Sequence, residues 1–214
     1  MIEIDDAGSG SLIGGTGIGI LKKETQEYFF DLIPIHCFQP PAFSEKKYQD
    51  YVINIVKKAF KQLQISKKET IYLCPSYIFD HLRKWLSTQG YHWQNTKIVG
   101  PLQNKVETSF NHYVIRLGLP TNFVIHARYA FGFHRLFKWV MADFKNRPAL
   151  CKTGWKSWQK WSQTTTKTYS STAGKNEYCL KCGKLIYKNE PINILEYQTN
   201  KLWTLALHPQ CLIA

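Results

Sequence analysis

Four residues whose side chains commonly bind metal ions form two close pairs near the C-terminal end of the sequence. Two residues separate Cys179 from Cys182, and two residues separate His208 from Cys211. Ligands at this spacing on a tight turn can hold adjacent corners of a tetrahedron, and Gly183 helps the backbone to turn. Three thiolates and one imidazole form a closed shell around Zn²⁺, so the pattern predicts a structural zinc site and no catalytic one.

The cysteine pair has two other interpretations, a redox CxxC motif and unligated thiols. A thioredoxin-like motif needs a strand before the cysteines and a helix after them, and the sequence predicts neither. Residues 178–214 are too few to fold on a hydrophobic core alone, so metal binding would supply much of their stability. The segment resembles zinc-ribbon and treble-clef-like modules, which bind nucleic acids or proteins.

A second candidate site lies where Asp5 and Asp6 end a short apolar run and a glycine-rich turn follows. Two adjacent carboxylates at the end of a strand could hold a metal ion, or they could be hairpin residues without chemistry. The glycines fit neither the G-x-G-x-x-G nor the G-x4-G-K-[ST] nucleotide loop. Sugar-kinase and actin-type ATPases also begin with such a strand, but their two lobes and second phosphate loop need a longer chain.

The stretch DDAGSG at residues 5–10 resembles the hallmark of the type 2 ribonuclease H family, a first strand that ends in Asp-Glu-Ala-Gly-Arg-Gly. The resemblance implies an α/β fold with a ribonuclease H-like mixed sheet flanked by helices. It also implies hydrolysis of nucleic acid by two Mg²⁺ or Mn²⁺ ions held by clustered carboxylates. Asp5 and Asp6 match the family's first two catalytic carboxylates. The turn residues Gly8, Ser9 and Gly10 would contact the nucleic acid.

Beyond these matches, the sequence departs from the family pattern. Ser9 replaces the family's arginine, which removes a cation that would bind phosphate. Cys74 ends the fourth predicted strand, where the family has its next aspartate. Glu107, near the start of a later helix, is the best candidate for the last catalytic carboxylate, while Asp80 and Asp143 are weaker candidates. The two-metal site is therefore incomplete in sequence, and a nuclease and an inactive binding protein both remain open.

The elements that must position these residues follow from periodicity and from turn signals. Strands are predicted at 2–6, 16–22, 27–35, 70–74 and 96–99, and two more at 192–197 and 202–207. Helices are predicted at 45–64, with Ser44 as N-cap, and at 76–88 and 102–117, with a longer helix from Thr121 to about residue 145. Three antiparallel strands followed by alternating helices and parallel strands predict a mixed sheet.

A basic and aromatic region follows at residues 122–147. Arg128 and Arg135 lie seven residues apart and would share one helix face, with Lys138 three residues further on. Cations on one face can follow a phosphate backbone, although an amphipathic helix with solvated cations is an equal alternative. Trp155, Trp158 and Trp161 are interpreted as core anchors in preference to base-stacking platforms. Residues 162–176 are rich in Ser, Thr, Gly and Lys and are predicted to be a flexible linker.

The charge distribution favours a polyanionic partner. The net charge is +13, and the first 42 residues hold six acidic residues against two lysines, so the remainder is strongly basic. A basic body beside an acidic tip indicates a polyanionic partner, such as nucleic acid, beside a site that could bind cations. With no long apolar segment and no signal-peptide pattern, we expect no membrane association and a cytoplasmic location.

These observations predict a ribonuclease H-like domain at residues 1–147, a Trp/Lys-rich segment with a linker at 148–177, and a zinc-binding module at 178–214. Nucleic acid is the expected partner, and a protein partner is a further option. One hypothesis is a divergent Mg²⁺-dependent nuclease that cleaves RNA, DNA or hybrid phosphodiesters. The alternative is an inactive scaffold that binds nucleic acid or a protein through its basic surface and zinc module.

Overall fold

The computed structural model describes residues 1–124 and 132–213, which form two compact units. The first unit comprises Met1–Phe131 with Leu150–Trp155, and the second comprises Gly132–Ala149 with Lys156–Ala214. The boundaries predicted after residues 147 and 177 stay a prediction, because spatial grouping does not establish which segments fold independently.

The first unit contains a five-stranded mixed sheet. Its strands are β1 (Ile2–Ala7), β2 (Thr16–Lys22), β3 (Glu27–Ile33), β4 (Ile71–Leu73) and β5 (Trp93–Asn95). The first three strands pair in antiparallel fashion, β4 runs parallel to β1, and β5 runs parallel to β4. The resulting order, β3-β2-β1-β4-β5, is the topology of ribonuclease H-like folds and confirms the predicted fold class.

Helices cover this sheet because their apolar residues recur at helical spacing. They are α1 (Lys47–Gln62), α2 (Asp80–Thr88) and α3 (Pro101–Arg116). Helix α1 buries one face in the main core, including Val52, Val56 and Phe60. Helix α3 packs on β1 and β2, where Gly19 makes the close approach possible, since a Cβ at Gly19 would lie 3.0 Å from the Cβ of Val106.

Three predicted boundaries in the first unit were wrong. Strand β5 spans Trp93–Asn95 and not 96–99, because parallel pairing with β4 determines the register there. Lys46, in the left-handed region, takes the N-cap position of α1, whereas the Ser44 hydroxyl donates to the Pro41 carbonyl oxygen. Thr121 begins a short 3₁₀ helix, Thr121–Phe123, and no long helix; residues 125–131 lie outside the described part of the chain.

The second unit combines helices with two small antiparallel sheets. Its helices are α4 (Phe133–Met141), α5 (Lys156–Trp161) and α6 (Pro209–Ile213). Strands β6 (Thr166–Thr172), β9 (Pro191–Gln198) and β10 (Leu202–Leu207) form one sheet in the order β10-β9-β6, and β7 (Glu177–Tyr178) pairs with β8 (Leu185–Ile186). The strands predicted at 192–197 and 202–207 are confirmed.

The linker predicted at 162–176 was wrong, because β6 occupies its centre and pairs along its whole length with β9. All seven β6 side chains are exposed, which explains why the segment resembles a linker in composition. Backbone hydrogen bonds to β9, which the sequence pattern does not reveal, order this segment. None of the described helices has both the length and the apolar character needed to cross a membrane.

Candidate functional site

Asp5 and Cys74 become neighbours through the parallel pairing of β1 and β4. Ile4 lies opposite Leu73, and the Cys74 amide continues the ladder by donating to the Ile4 carbonyl oxygen at 3.0 Å. Cys74 therefore stands beside Asp5 at the carboxyl end of the two central strands. Potential ligand atoms of Asp5, Asp6 and Cys74 all lie within 4.8 Å of one another, and we call these three residues the carboxylate cluster.

The Asp5 carboxyl is almost fully buried, and its electrostatic surroundings reflect this. Burial raises the pKa of Asp5 to about 6; a hydrogen bond from Cys74 opposes the rise, and the nearby charges of Asp6 and Glu107 add to it. Burial and the charge of Asp5 raise the pKa of the Cys74 thiol to about 12. Cys74 is thus a protonated thiol near neutral pH and donates its hydrogen to the Asp5 carboxylate.

Asp6 sits among hydrogen-bond donors. Its pKa is raised by burial, while hydrogen bonds from the hydroxyls of Ser9 and Ser76 and the charge of Lys152 oppose the rise. Ser9, which was predicted to contact nucleic acid, therefore supports Asp6 from within the glycine turn. The family's arginine at this position would project a cation, whereas the shorter serine donates locally.

Lys152 is the residue of this site that the sequence did not indicate. Its side chain is fully buried, and its Nζ donates to the Gly8 carbonyl oxygen at 2.6 Å and to the Thr16 hydroxyl at 3.0 Å. The same nitrogen lies 4.5 Å from the ring centroid of Phe38 and 5.2 Å from that of Trp155. Burial lowers the pKa of Lys152 to about 7, and the charge of Asp6 opposes that decrease.

Backbone hydrogen bonds bring Lys152 to the glycine turn. The Lys152 amide donates to the Leu12 carbonyl oxygen at 2.9 Å, and the Gly14 amide donates to the Leu150 carbonyl oxygen at 2.8 Å. Between these two hydrogen bonds, Ile13 forms a β-bridge with Cys151. Residues 150–155 thus return to the N-terminal turn from far along the chain. A lysine in a Trp/Lys-rich segment carries no local signal that it will be buried, so only the tertiary structure identifies it.

The predicted turn glycines have different roles. Gly8 adopts a φ of +82°, and a Cβ there would lie 2.1 Å from the Phe110 ring, so α3 leaves room only for glycine. Gly10 is exposed, and a Cβ there would meet no heavy atom within 4 Å. Phe110 therefore makes the close contact at Gly8, and the predicted contact of this turn with nucleic acid stays a prediction.

The carboxylates considered as further metal ligands do not join the carboxylate cluster within the described residues. Glu107 is close enough to influence Asp5 by its charge, and its Oε1 accepts from the Gln103 amide at 3.3 Å. Asp80 is exposed, as predicted, and pairs with Arg83 at 2.8 Å. Asp143 follows α4 in the second unit and accepts hydrogen bonds from the Asn146 amide group.

The carboxylate cluster does not fit a pair of magnesium ions. Mg²⁺ prefers oxygen ligands in octahedral geometry, whereas Cys74 offers a protonated sulfur that is already hydrogen-bonded to Asp5. The charge of the buried Lys152 amine also acts on Asp6, whose pKa it lowers. The predicted set of Asp5, Asp6 and Glu107 is therefore brought into electrostatic range but not into one ligand shell.

The C-terminal cysteines and histidine form a second, complete cluster in the second unit. Potential ligand atoms of Cys179, Cys182, His208 and Cys211 all lie within 4.8 Å of one another. Cys182 Sγ lies 3.4 Å from His208 Nδ1, and His208 Nε2 donates to the Leu185 carbonyl oxygen at 3.2 Å. The imidazole is thereby oriented with Nδ1 toward the sulfurs, so this donor set is consistent with a structural zinc site.

The turn around Cys179 is arranged to stabilise a thiolate. Burial acts to raise the pKa of Cys179, but hydrogen bonds from the Cys182, His208 and Lys181 amides outweigh it and lower this pKa. Gly183 adopts a φ of +74°, and its amide donates to the Cys179 carbonyl oxygen at 2.8 Å. We call the hairpin formed by residues 177–186 the knuckle.

Arg147 supports the knuckle from the side. Its Nη1 donates to the Leu180 carbonyl oxygen at 2.8 Å, and its Nη2 donates to that of Lys181 at 2.9 Å. The guanidinium also lies 3.9 Å from the ring centroid of Trp139 on α4 and donates to the Trp139 carbonyl oxygen. This nearly buried arginine therefore fixes the backbone between the two knuckle cysteines, a role that its sequence position does not indicate.

No protein-family model matches this chain, and no curated protein matches it. The relation to ribonuclease H-like folds accordingly rests on the strand order and on the placement of the carboxylate cluster.

The predicted basic and aromatic residues fall into three groups. Arg128 lies outside the described residues, whereas Arg135 and Lys138 lie on α4 and are partly buried. Burial lowers the pKa of Lys138, with the Glu177 charge opposing this change and the Lys175 and Lys201 charges adding to it. Trp158 is buried against Phe137 and Phe144, as expected for a core anchor.

Proposed function

We propose that this protein binds nucleic acid through a ribonuclease H-like domain without hydrolysing it, and that a structural zinc ion supports its C-terminal module. The observation that supports this proposal is that Cys74 lies beside Asp5 at the carboxyl end of the two central strands. In a ribonuclease H-like site this position would supply a carboxylate to the metal ions. Here it supplies a neutral thiol that donates to Asp5.

Charge supports a nucleic-acid partner. The chain carries 28 Lys and Arg against 15 Asp and Glu, and its first 42 residues hold only two of the lysines beside six of the acidic residues. A basic protein of this kind gains affinity for a phosphate backbone through counterion release. The ribonuclease H-like topology is a second argument for this partner, because the resemblance to that family implies that nucleic acid is bound. We place the protein in the cytoplasm, which also stays a proposal.

A divergent nuclease is the second candidate, and one observation favours it. Three carboxylates, Asp5, Asp6 and Glu107, are close enough for the charges of the other two to raise the pKa of Asp5. Crowded carboxylates of this kind can be relieved by a divalent cation. In that case Asp5 and Asp6 would hold a single Mg²⁺ or Mn²⁺ ion, with Glu107 as the nearby third carboxylate.

One experiment separates the two candidates. RNA, DNA and hybrid duplexes are incubated with the full chain and Mg²⁺ or Mn²⁺, and binding and cleavage are measured on the same samples, with Asp5→Asn as the matched variant. Salt-dependent binding without cleavage, unchanged by Asp5→Asn, is the expected result. Cleavage that Asp5→Asn abolishes would establish the nuclease instead, and absence of any binding would overturn both candidates.

A further inference from the structure

Three aromatic rings form a row on the second unit, with His134 of α4 between Trp161 of α5 and Trp203 of β10. The His134 ring stacks on that of Trp203 with centroids 5.9 Å apart and an interplanar angle of 19°. It meets Trp161 edge-on at 5.8 Å and 62°. All three side chains are partly exposed. We call these three residues the aromatic row.

Hydrogen bonds hold the aromatic row in its orientation. The Thr199 hydroxyl donates to Asn200 Oδ1 at 3.0 Å, so it accepts the hydrogen of His134 Nδ1 at 3.2 Å. Asn200 Oδ1 also accepts from the Trp203 indole at 3.3 Å. The rings are thus fixed by a polar network before any ligand arrives, which lowers the entropy cost of binding.

Each indole of the aromatic row carries an exposed lysine. Lys160 Nζ lies 4.5 Å from the ring centroid of Trp161, and Lys201 Nζ lies 4.4 Å from that of Trp203. Partial burial and the charge of Lys201 lower the pKa of His134, so its imidazole is a neutral aromatic ring near pH 7. The aromatic row therefore presents uncharged ring surfaces, with an ammonium group close to the ring at each end.

The unit around the aromatic row is strongly basic. Gly132–Ala149 and Lys156–Ala214 together carry 12 Lys and Arg against 4 Asp and Glu. An acidic peptide would use the lysines but would leave the rings unused, and a sugar would use the rings but not the cations. Nucleic acid uses both, since its bases stack on aromatic faces while its phosphates pair with ammonium groups.

We propose that the aromatic row binds single-stranded nucleic acid, with bases stacking on Trp161 and Trp203 and phosphates pairing with Lys160 and Lys201. This inference rests on the proposed nucleic-acid binding and names its partner class. A single strand is favoured over a duplex because the bases of a duplex are already stacked on one another. The two exposed lysine side chains rotate from the rings to the phosphates when a base takes their place.

The test measures binding of fluorescein-labelled single strands and of duplexes of equal length to the full chain, by anisotropy over a range of salt concentrations. Trp203→Leu is expected to weaken single-strand binding about tenfold or more, and Trp203→Phe to restore most of it. The double variant Lys160→Gln/Lys201→Gln is expected to reduce the salt slope by about 1.4, since each phosphate contact on a single strand contributes about 0.7.

The matched control is Lys184→Gln/Lys188→Gln, which removes the same charge from exposed lysines of the knuckle and of the turn after it. It is expected to change single-strand binding much less than the Lys160/Lys201 pair does. Equal weakening by both pairs, or a folded, zinc-containing Trp203→Leu that binds single strands as wild type does, would overturn the inference. Duplex binding that persists without single-strand binding would overturn this inference alone, whereas absence of all binding would overturn the proposed function as well.

Discussion

The Cys74 thiol donates a hydrogen bond to the Asp5 carboxylate across the parallel pair of β1 and β4. The pairing places residue 74 beside Asp5, so the side chain at this position decides whether a third carboxylate joins the carboxylate cluster. The Asp5 carboxylate is buried and receives its hydrogen bond from a neutral partner. This arrangement is satisfied without a cation.

The first prediction is that Cys74→Asp creates divalent-cation binding at the carboxylate cluster. A further buried charge beside Asp5 and Asp6 should lower the free energy of unfolding at neutral pH by about 1–3 kcal/mol without metal, because like charges repel in a buried site. Mn²⁺ should restore this loss, measured by denaturant unfolding with and without the ion. Cys74→Ser, which adds no charge, is the control, and a Cys74→Asp variant whose stability ignores Mn²⁺ would contradict the prediction.

At the carboxyl end of the central strands, the sequence was sufficient to predict the strands and the two aspartates but not the buried lysine. Short apolar runs around the glycine turn were sufficient to predict β1 and β2, and the order of strands and helices predicted the mixed sheet. The resemblance directed attention to Asp5, Asp6 and residue 74. Lys152 could not be predicted in the same way, because its burial depends on backbone pairing between residues 12–14 and 150–152. Such long-range pairing leaves no periodic signal near the lysine.

The second prediction concerns Lys152 and the pH dependence of stability. Its pKa is about 7 in the folded protein and near its ordinary value of 10.5 in the unfolded chain. Because the pKa of Lys152 is lowered in the folded state, its contribution to the free energy of unfolding is greatest above pH 10.5. This contribution is lost as the pH falls toward 7. At roughly 1.4 kcal/mol per unit of pKa difference, this loss is on the order of 5 kcal/mol.

Lys152→Met is the variant that isolates this contribution, since it keeps a long side chain and removes the titrating group. Unfolding free energies of wild type and variant are measured by denaturant titration between pH 7 and 10. The wild-type value should rise relative to that of Lys152→Met as the pH increases, because other groups that titrate in this range are common to both. Parallel curves would show that Lys152 is not buried as described.

The third prediction is that the second unit depends on zinc. One zinc ion per chain is expected, and cobalt substitution should give the absorption of a tetrahedral site with three thiolates and one imidazole. Strong chelators or Cys179→Ser should unfold residues near the knuckle, because small metal modules gain much of their stability from the ion. Cys37→Ala, at a buried thiol outside the metal cluster, should retain full zinc content. Full stability after zinc removal would refute the prediction.

The second unit also marks a limit of sequence reasoning. The four metal-binding residues were recognisable because a closed zinc shell demands particular residue types at short spacing. Strand β6 was not recognisable, since its exposed Ser, Thr, Lys and Tyr side chains bury no face. Arg147 was equally hidden, because a buried arginine that binds backbone carbonyl groups looks like any other basic residue until the knuckle is folded.

The fourth prediction is that Arg147 positions the knuckle for metal binding. Arg147→Met keeps an unbranched side chain beside Trp139 but removes the donors to the Leu180 and Lys181 carbonyl oxygens. Zinc affinity, measured by competition with a chelator, should fall about 10- to 100-fold, as is typical when groups that orient metal ligands are lost. Lys145→Met removes one positive charge from an exposed side chain close in sequence to Arg147 and should leave zinc affinity near that of wild type. If both variants weaken zinc binding equally, general loss of positive charge explains the effect, and the hydrogen bonds of Arg147 do not.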